Sequence, residues 1–327
     1  MRIGIIGTGF MGSTHAAGWA ETGGQIAGFV TKAPAEAQSL IERYGGQLFP
    51  DLAAMLDHVD IVDICAPTHR HHELALQAAA AGKHILCEKP LGRTLAQAQE
   101  ITDACERAGV KLMVAHVVRF FPDYAQAQQR VADGEIGRPA VIRLSRESFE
   151  PKKAADNWFV DFAKSGGMVL DLMIHDLDYA RWVAGPVTQV FAKSTGTHAL
   201  AILTHASGAI SHVVGSWAYP PPTFRTAFEI AGDGGLITCD SESTAPVSLH
   251  LHKREGDGPD IPVAGSPLSE SPYTTEIKAF YDAVIHDKPV PVPGGEGVAA
   301  VQLALAVIQS ADSGQPVQID PLPEVKA

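Results

Sequence analysis

Apolar positions in this chain follow two rhythms. In the first third, short apolar runs bounded by turn residues alternate with segments of helical period. The first run, Arg2 to Ile6, places Ile3, Ile5 and Ile6 in a strand, and a helix-forming stretch follows at once. Strand Gln25 to Val30, helix Ala35 to Tyr44, strand Gln47 to Phe49 and helix Leu52 to Leu56 come next. Strand Ile61 to Cys65, helix His71 to Ala81, strand Lys83 to Cys87, helix Leu95 to Ala108 and strand Lys111 to His116 complete the series. Regular βα alternation of this kind predicts an α/β layer, a doubly wound and mostly parallel sheet.

After Arg119 the rhythm changes. A linking helix, Asp123 to Ala132, leads to strand Ala140 to Arg146, a loop containing Asp156-Asn157-Trp158-Phe159, and a glycine-led helical stretch from Ser165 to Gly185. Strands then follow one another: Val187 to Ser194, Ala199 to Thr204, Ala209 to Trp217, Thr226 to Ala231 and Gly235 to Asp240. Ser243 to Pro272 reads as surface loop around a short strand, Val247 to His252; helices Thr274 to His286 and Gly297 to Asp312 close the chain. Two domains are predicted, residues 1–120 and 121–327. The second is an α+β domain on a largely antiparallel sheet, with the last helix free to pack back on the first. An apolar outer face on such a sheet needs a cover, so a homodimer or homotetramer formed through it is expected.

The stretch from Ser165 to Gly185 carries chemistry as well as packing. Val169, Leu170, Leu172, Ile174, Leu177, Tyr179 and Trp182 make it a buried helix, yet Asp171, His175 and Asp178 recur at steps of four and three. In a regular helix that spacing stacks all three on one face. One reading is a core histidine with a hydrogen-bonded partner; the other is a carboxylate orienting an imidazole that moves a proton.

At the other end, Gly7-Thr8-Gly9-Phe10-Met11-Gly12 sits between the first strand and its helix. The first glycine permits the turn, the second admits a pyrophosphate, and the third lets helix and strand close up, while the helix N-terminus offers N–H groups to phosphate. This predicts a Rossmann domain binding NAD or NADP. About 20 residues on, NAD readers carry an acid for the ribose. Here Thr31-Lys32 stands in that place, a hydroxyl and a cation, which leans toward NADP. Ligands bind outside the carboxyl ends of such strands, where Ala66, Pro67, Thr68 and His71 follow one strand and Glu88 and Lys89 another.

Composition narrows the partners. With 46% hydrophobic and 19% charged residues the chain is globular, and a net charge of −12 disfavours nucleic acid and anionic membranes as general partners, in keeping with a small-molecule substrate. No stretch is apolar enough to span a bilayer, and the N-terminus lacks a signal-peptide layout, so a cytoplasmic protein is expected. Cys65, Cys87, Cys105 and Cys239 have no metal or disulfide spacing, and His69, His71 and His72 lack the face of a helical zinc site, so no metal is predicted.

The glycine motif, the segment HILCEKPL (His84 to Leu91), RFFP (Arg119 to Pro122) and the helix LDLMIHDLD together resemble the glucose-fructose oxidoreductase, inositol dehydrogenase and MocA family over essentially the whole chain. The resemblance implies that Lys89, Asp171 and His175 surround a hydroxyl or carbonyl being oxidised or reduced, with His71 near the cofactor. Two positions depart from the family pattern: Thr68 replaces an asparagine and Ser165 a glycine. The expected activity is hydride transfer between a nicotinamide and a sugar, cyclitol or polyol, with Arg119, Arg146 and Trp158 as candidate substrate contacts. The alternatives are a catalytically silent NAD(P)-binding regulator and a reductase of a non-sugar substrate.

Overall fold

A computed structural model describes residues 1–151, 158–243, 247–251 and 270–322. Asp156, Asn157 and His252 lie outside the described residues. The chain forms two compact units, one of Met1–Val117 with Glu270–Val301, the other of Val118–Ser269 with Gln302–Ala327.

The first unit runs β1 (Arg2–Ile6), α1 (Phe10–Ala20), β2 (Gln25–Val30), α2 (Pro34–Tyr44), β3 (Gln47–Phe49), α3 (Leu52–Leu56), β4 (Ile61–Ile64), α4 (Thr68–Ala80), β5 (His84–Glu88), α5 (Leu95–Ala108) and β6 (Leu112–Ala115). Its six strands are all parallel, in the order β3-β2-β1-β4-β5-β6. The order reverses between β1 and β4, and ligands bind at such a switch point. Strands covered on both faces are apolar throughout: β4 and β6 are buried at every position. The exception is Asp63, a carboxylate with no exposure in the middle of β4.

The second unit begins in a 3-10 turn, Val117–Phe120, followed by α6 (Pro122–Ala132), β7 (Pro139–Glu147) and α7 (Phe162–Ser165). A π-helical turn, Val169–Met173, then runs directly into α8 (Ile174–Ala184). The strands are β8 (Val187–Ser194), β9 (His198–His205), β10 (Ile210–Ser216), β11 (Arg225–Gly232), β12 (Gly235–Asp240) and β13 (Val247–Leu251). Two helices close the chain: α9 (Pro272–Ile285), which belongs to the first unit and packs on α1, and α10 (Gly294–Ser313), followed by β14 (Val317–Gln318). The sheet order is β13-β12-β11-β7-β10-β9-β8-β14. All its pairs are antiparallel except β7 with β10, so the sheet is mixed.

One face of this sheet carries the glycine-led helix. A Cβ on Gly215 of β10 would lie 2.9 Å from both Met168 Sδ and Met173 Cβ, so glycine is what lets the π turn settle on the strand. The other face carries exposed apolar side chains among the described residues. Leu200, Ile202 and Ile210 are exposed there, flanked by the Arg143–Glu229 ion pair.

Candidate active-site residues

In the first unit the loop from Gly7 to Gly12 is built by steric need. Gly7 has φ +99°, and a Cβ there would lie 2.5 Å from the Cys65 carbonyl oxygen; a Cβ on Gly12 would lie 1.9 Å from the Gly7 carbonyl oxygen. Gly9 differs, for its Cβ would meet nothing within 4 Å. That opening lies at the start of α1, which has no side-chain cap, so its first N–H groups suit a pyrophosphate. Phe10 is largely exposed beside it and Met11 half-buried. The arrangement fits a dinucleotide.

At the neighbouring strand end, Thr8 is buried and its hydroxyl lies 2.8 Å from the Thr31 hydroxyl. Thr8 Oγ1 donates to Glu36 Oε2 at 3.3 Å, and Thr31 Oγ1 accepts from the Ala33 N–H at 3.0 Å. Lys32 is exposed. Glu36, in the first turn of α2, stands five residues beyond the position where sequence spacing places a ribose acid, so spacing alone does not single it out.

The end of β5 is held from below. Glu88 Oε2 accepts from the Lys89 backbone N–H at 3.0 Å, while Glu88 Oε1 lies 3.2 Å from His15 Nε2, close enough for an ion pair though out of hydrogen-bond alignment. The other ring nitrogen of His15 donates to Asp63 Oδ2 at 2.9 Å, and Trp19 Nε1 donates to the same oxygen at 2.7 Å. Burial works against the His15 charge, yet Asp63 outweighs it and lifts the imidazole well above its ordinary range. Burial pushes the Glu88 carboxyl up, but His15 more than reverses this, so its pKa is lowered. His15, Asp63 and Cys65 are the cluster among the described residues with ligand atoms close enough for a metal. Both ring nitrogens of His15 already face carboxylates, so the chemistry is that of an ion-paired imidazolium. Glu276 of α9 completes the group: it is fully buried, and burial, with Glu88 and Asp63 adding to it, drives its carboxyl well up against the opposing pull of His15.

His71 is buried, with Nδ1 and Nε2 each 2.8 Å from a carbonyl oxygen, those of Pro90 and Ala66. It thereby ties the loop after β4 to the loop after β5. Burial lowers its pKa despite the two carbonyls. Thr68 is buried at the first position of α4, behind Pro67.

In the second unit, Ser165 replaces the glycine of the family pattern and uses its hydroxyl. Ser165 Oγ donates to Phe159 O at 2.7 Å and accepts from the Gly167 N–H at 2.9 Å, fixing the turn ahead of the helix. Asp171 lies inside the π turn and His175 just past it, both half-buried on a helix whose other positions are mostly buried. The expected three-member polar face is divided by burial: His175 and Asp178 stay three apart within α8, yet Asp171 and His175 are half-buried while Asp178 is buried. Asp178 turns inward, where Arg119 Nε and Nη2 donate to its two oxygens at 2.8 and 2.6 Å.

Arg146 forms a matching pair. Its Nε and Nη2 donate to Asp176 at 2.7 and 3.1 Å, and its side chain is only 6% exposed. Burial opposes the Arg146 charge, yet Asp176 overcomes it and raises the pKa. Arg119 also lies over Trp182, 5.3 Å from the ring centroid. Arg119 and Arg146, the candidate substrate contacts, each pair with an aspartate of the helix that carries His175. Trp158 is half-buried and stacks on Phe159 at 4.0 Å between centroids.

A six-stranded parallel sheet with a glycine loop open at Gly9, and a mixed-sheet domain with an Asp-x-x-x-His helix, are the features of two-domain nicotinamide-dependent dehydrogenases. The sequence profile described as an oxidoreductase family with an NAD-binding Rossmann fold matches residues 1–116, and the GFO/IDH/MocA C-terminal domain matches residues 124–238. The chain belongs to this GFO/IDH/MocA family of oxidoreductases. It is 34% identical to D-apiose dehydrogenase of Paraburkholderia graminis, over 77% of this chain and 70% of that protein. It is 27% identical to myo-inositol 2-dehydrogenase of Thermotoga maritima, over 98% and 99%. Its fold matches a levoglucosan dehydrogenase solved with NADH and L-sorbose, at TM-score 0.90 and 24% identity, covering 98% of this chain and 99% of that one. The protein is an NAD(P)-dependent oxidoreductase.

Proposed function

We propose that this chain interconverts a secondary alcohol and a carbonyl on a sugar, cyclitol or polyol. The observation that carries the reading is the Gly7–Gly12 loop, shaped by backbone crowding on two sides and open at Gly9. When bound, the nicotinamide supplies the hydride acceptor or donor. In the oxidative direction His175 takes the hydroxyl proton, Asp171 holds the imidazole in one tautomer, and the Lys89 ammonium stabilises the developing alkoxide. Lys89 is steadied at its backbone by Glu88, which His15 in turn neutralises. Gly7, Thr8, Gly9, Phe10, Met11 and Gly12, with Ala66, Pro67, Thr68 and His71, border the dinucleotide. Thr31 and Lys32 favoured NADP on sequence grounds, and Glu36 weighs against that.

The open sheet face, with Leu200, Ile202 and Ile210 exposed, supports a homo-oligomer. No helix among the described residues is long and apolar enough to cross a membrane, and the four cysteines are free thiols, which supports work in the cytoplasm. The decisive experiment is a panel of sugars, inositols and polyols assayed by nicotinamide absorbance with NAD and NADP. Turnover on at least one alcohol, lost in His175→Ala, is expected. Tight cofactor binding without turnover across the panel would favour the silent regulator instead.

A further inference from the structure

We infer that Glu36 reads the adenosine ribose of the cofactor and makes this chain selective for NAD over NADP. The inference rests on the nucleotide site proposed above. The sequence leaned the other way because the residue after β2 is a threonine and the next a lysine, with no acid at the strand end. The fold supplies one from the first turn of α2, where Glu36 reaches back to the glycine loop.

The direction of the hydrogen bonds decides what this corner offers a ligand. A backbone N–H can only donate, so Thr31 Oγ1 accepts from Ala33. The single hydroxyl hydrogen of Thr8 goes to Glu36 Oε2. Thr31 must then donate to Thr8, 2.8 Å away, and its own hydrogen is consumed. The chain Ala33 to Thr31 to Thr8 to Glu36 runs one way and ends on a carboxylate. Thr31, which the sequence suggested as a phosphate ligand, has no hydrogen left to give one.

The corner therefore presents acceptors and a negative charge. A ribose with free 2′ and 3′ hydroxyls brings two donors, and a carboxylate accepts from them. A 2′-phosphate brings about −1.5 to −2 charges at pH 7 and further acceptors, and both clash with Glu36. Lys32 is the cation that could offset this, but it is exposed and hydrated, which weakens its contribution. An acid in the first turn also suits the helix dipole of α2. That role alone would not bring Glu36 onto Thr8, which is only 5% exposed.

Binding measured without turnover tests this. Purified protein is titrated calorimetrically with NAD, NADP, ADP-ribose and 2′-phospho-ADP-ribose, at low salt and at physiological ionic strength. The parent should bind NAD and ADP-ribose about tenfold or more tighter than the 2′-phosphorylated partners, as expected for like charges a few ångströms apart. The gap should narrow as salt rises. Glu36→Gln should reduce selectivity by about tenfold, mainly by tightening NADP, and Glu36→Lys should reverse it. A parent that prefers NADP, or an unchanged ratio in Glu36→Gln while Lys32→Ala selectively weakens NADP, would overturn the inference and leave the nucleotide site standing. Binding of none of the four ligands would remove the nucleotide reading and this inference with it.

Discussion

Gly9 and Gly12 belong to one motif yet answer to different forces. A methyl group at Gly12 would press on the Gly7 carbonyl oxygen, whereas one at Gly9 enters open space. Gly12→Ala should therefore lower the melting temperature, by about 1–3 kcal/mol of overpacking, with or without cofactor. Gly9→Val should leave the melting temperature of the free protein unchanged and abolish the stabilisation that added cofactor gives. Thermal scans with and without NAD separate the two; a destabilised free Gly9→Val protein would refute the assignment of Gly9 to ligand rather than fold. His175 has a similar test. If it moves the proton, His175→Ala should cut turnover by about 10²–10⁴-fold with cofactor affinity nearly intact, and Asp171→Asn should follow it with little loss of stability. Full activity in both folded variants would reduce this face of the helix to architecture. The glycine positions were legible in the sequence because a turn into a helix tolerates few side chains. The partner of each polar residue was not, because spacing says which side chains share a face and not what lies opposite.

At the scale of elements, α8 shows how a helix is held in one rotation. Asp176 and Asp178 each take a buried, two-pronged arginine, from β7 and from the turn before α6. Removing one partner strands the other charge. Asp176→Leu should cost about 3–5 kcal/mol in denaturant unfolding, while the pair Arg146→Met with Asp176→Leu should recover much of that loss. Equal destabilisation by single and double variants would mean that the pair acts through packing alone. A second cluster joins α1, β4, β5 and α9 through His15, Asp63, Glu88 and Glu276. Burial raises the folded-state pKa of Glu276 above its ordinary 4.5. The stability tied to its neutral form is thus complete below that value and is lost as pH rises through the folded-state pKa. Glu276→Gln removes this dependence, so its melting temperature should gain on the parent more at about pH 9 than at about pH 5. A constant difference across that range would show that Glu276 is ionised in the folded protein as it is in the unfolded chain, so that burial does not raise its pKa. The sequence showed the helices and strands that carry these groups, since periodicity is local. It did not show Arg119 meeting Asp178 across 59 residues or His15 meeting Asp63 across 48.

At the scale of the whole molecule, the proposed association through the outer face of the second sheet can be tested. Leu200, Ile202 and Ile210 lie on adjacent strands β9 and β10, beside Arg143 and Glu229. Replacing Leu200 and Ile202 together by lysine should shift light scattering at micromolar concentration from a dimer or tetramer toward the monomer, with the fold retained. A parent that is already monomeric would exclude this use of the face. The sequence by itself determined that a dinucleotide-binding α/β layer comes first and a strand-rich layer second, because alternation period, turn residues and the glycine loop act over a few residues. It also brought Asp171 and His175 forward, since they lie four apart on one segment. Only the tertiary structure decided that Asp178 would be buried against Arg119 while Asp171 and His175 stay half-buried, that β7 and β10 would pair in parallel, and that Glu36 would reach Thr8. Each of those outcomes joins groups whose encounter depends on how distant segments pack, and packing distance is not written in the spacing of residues along the chain.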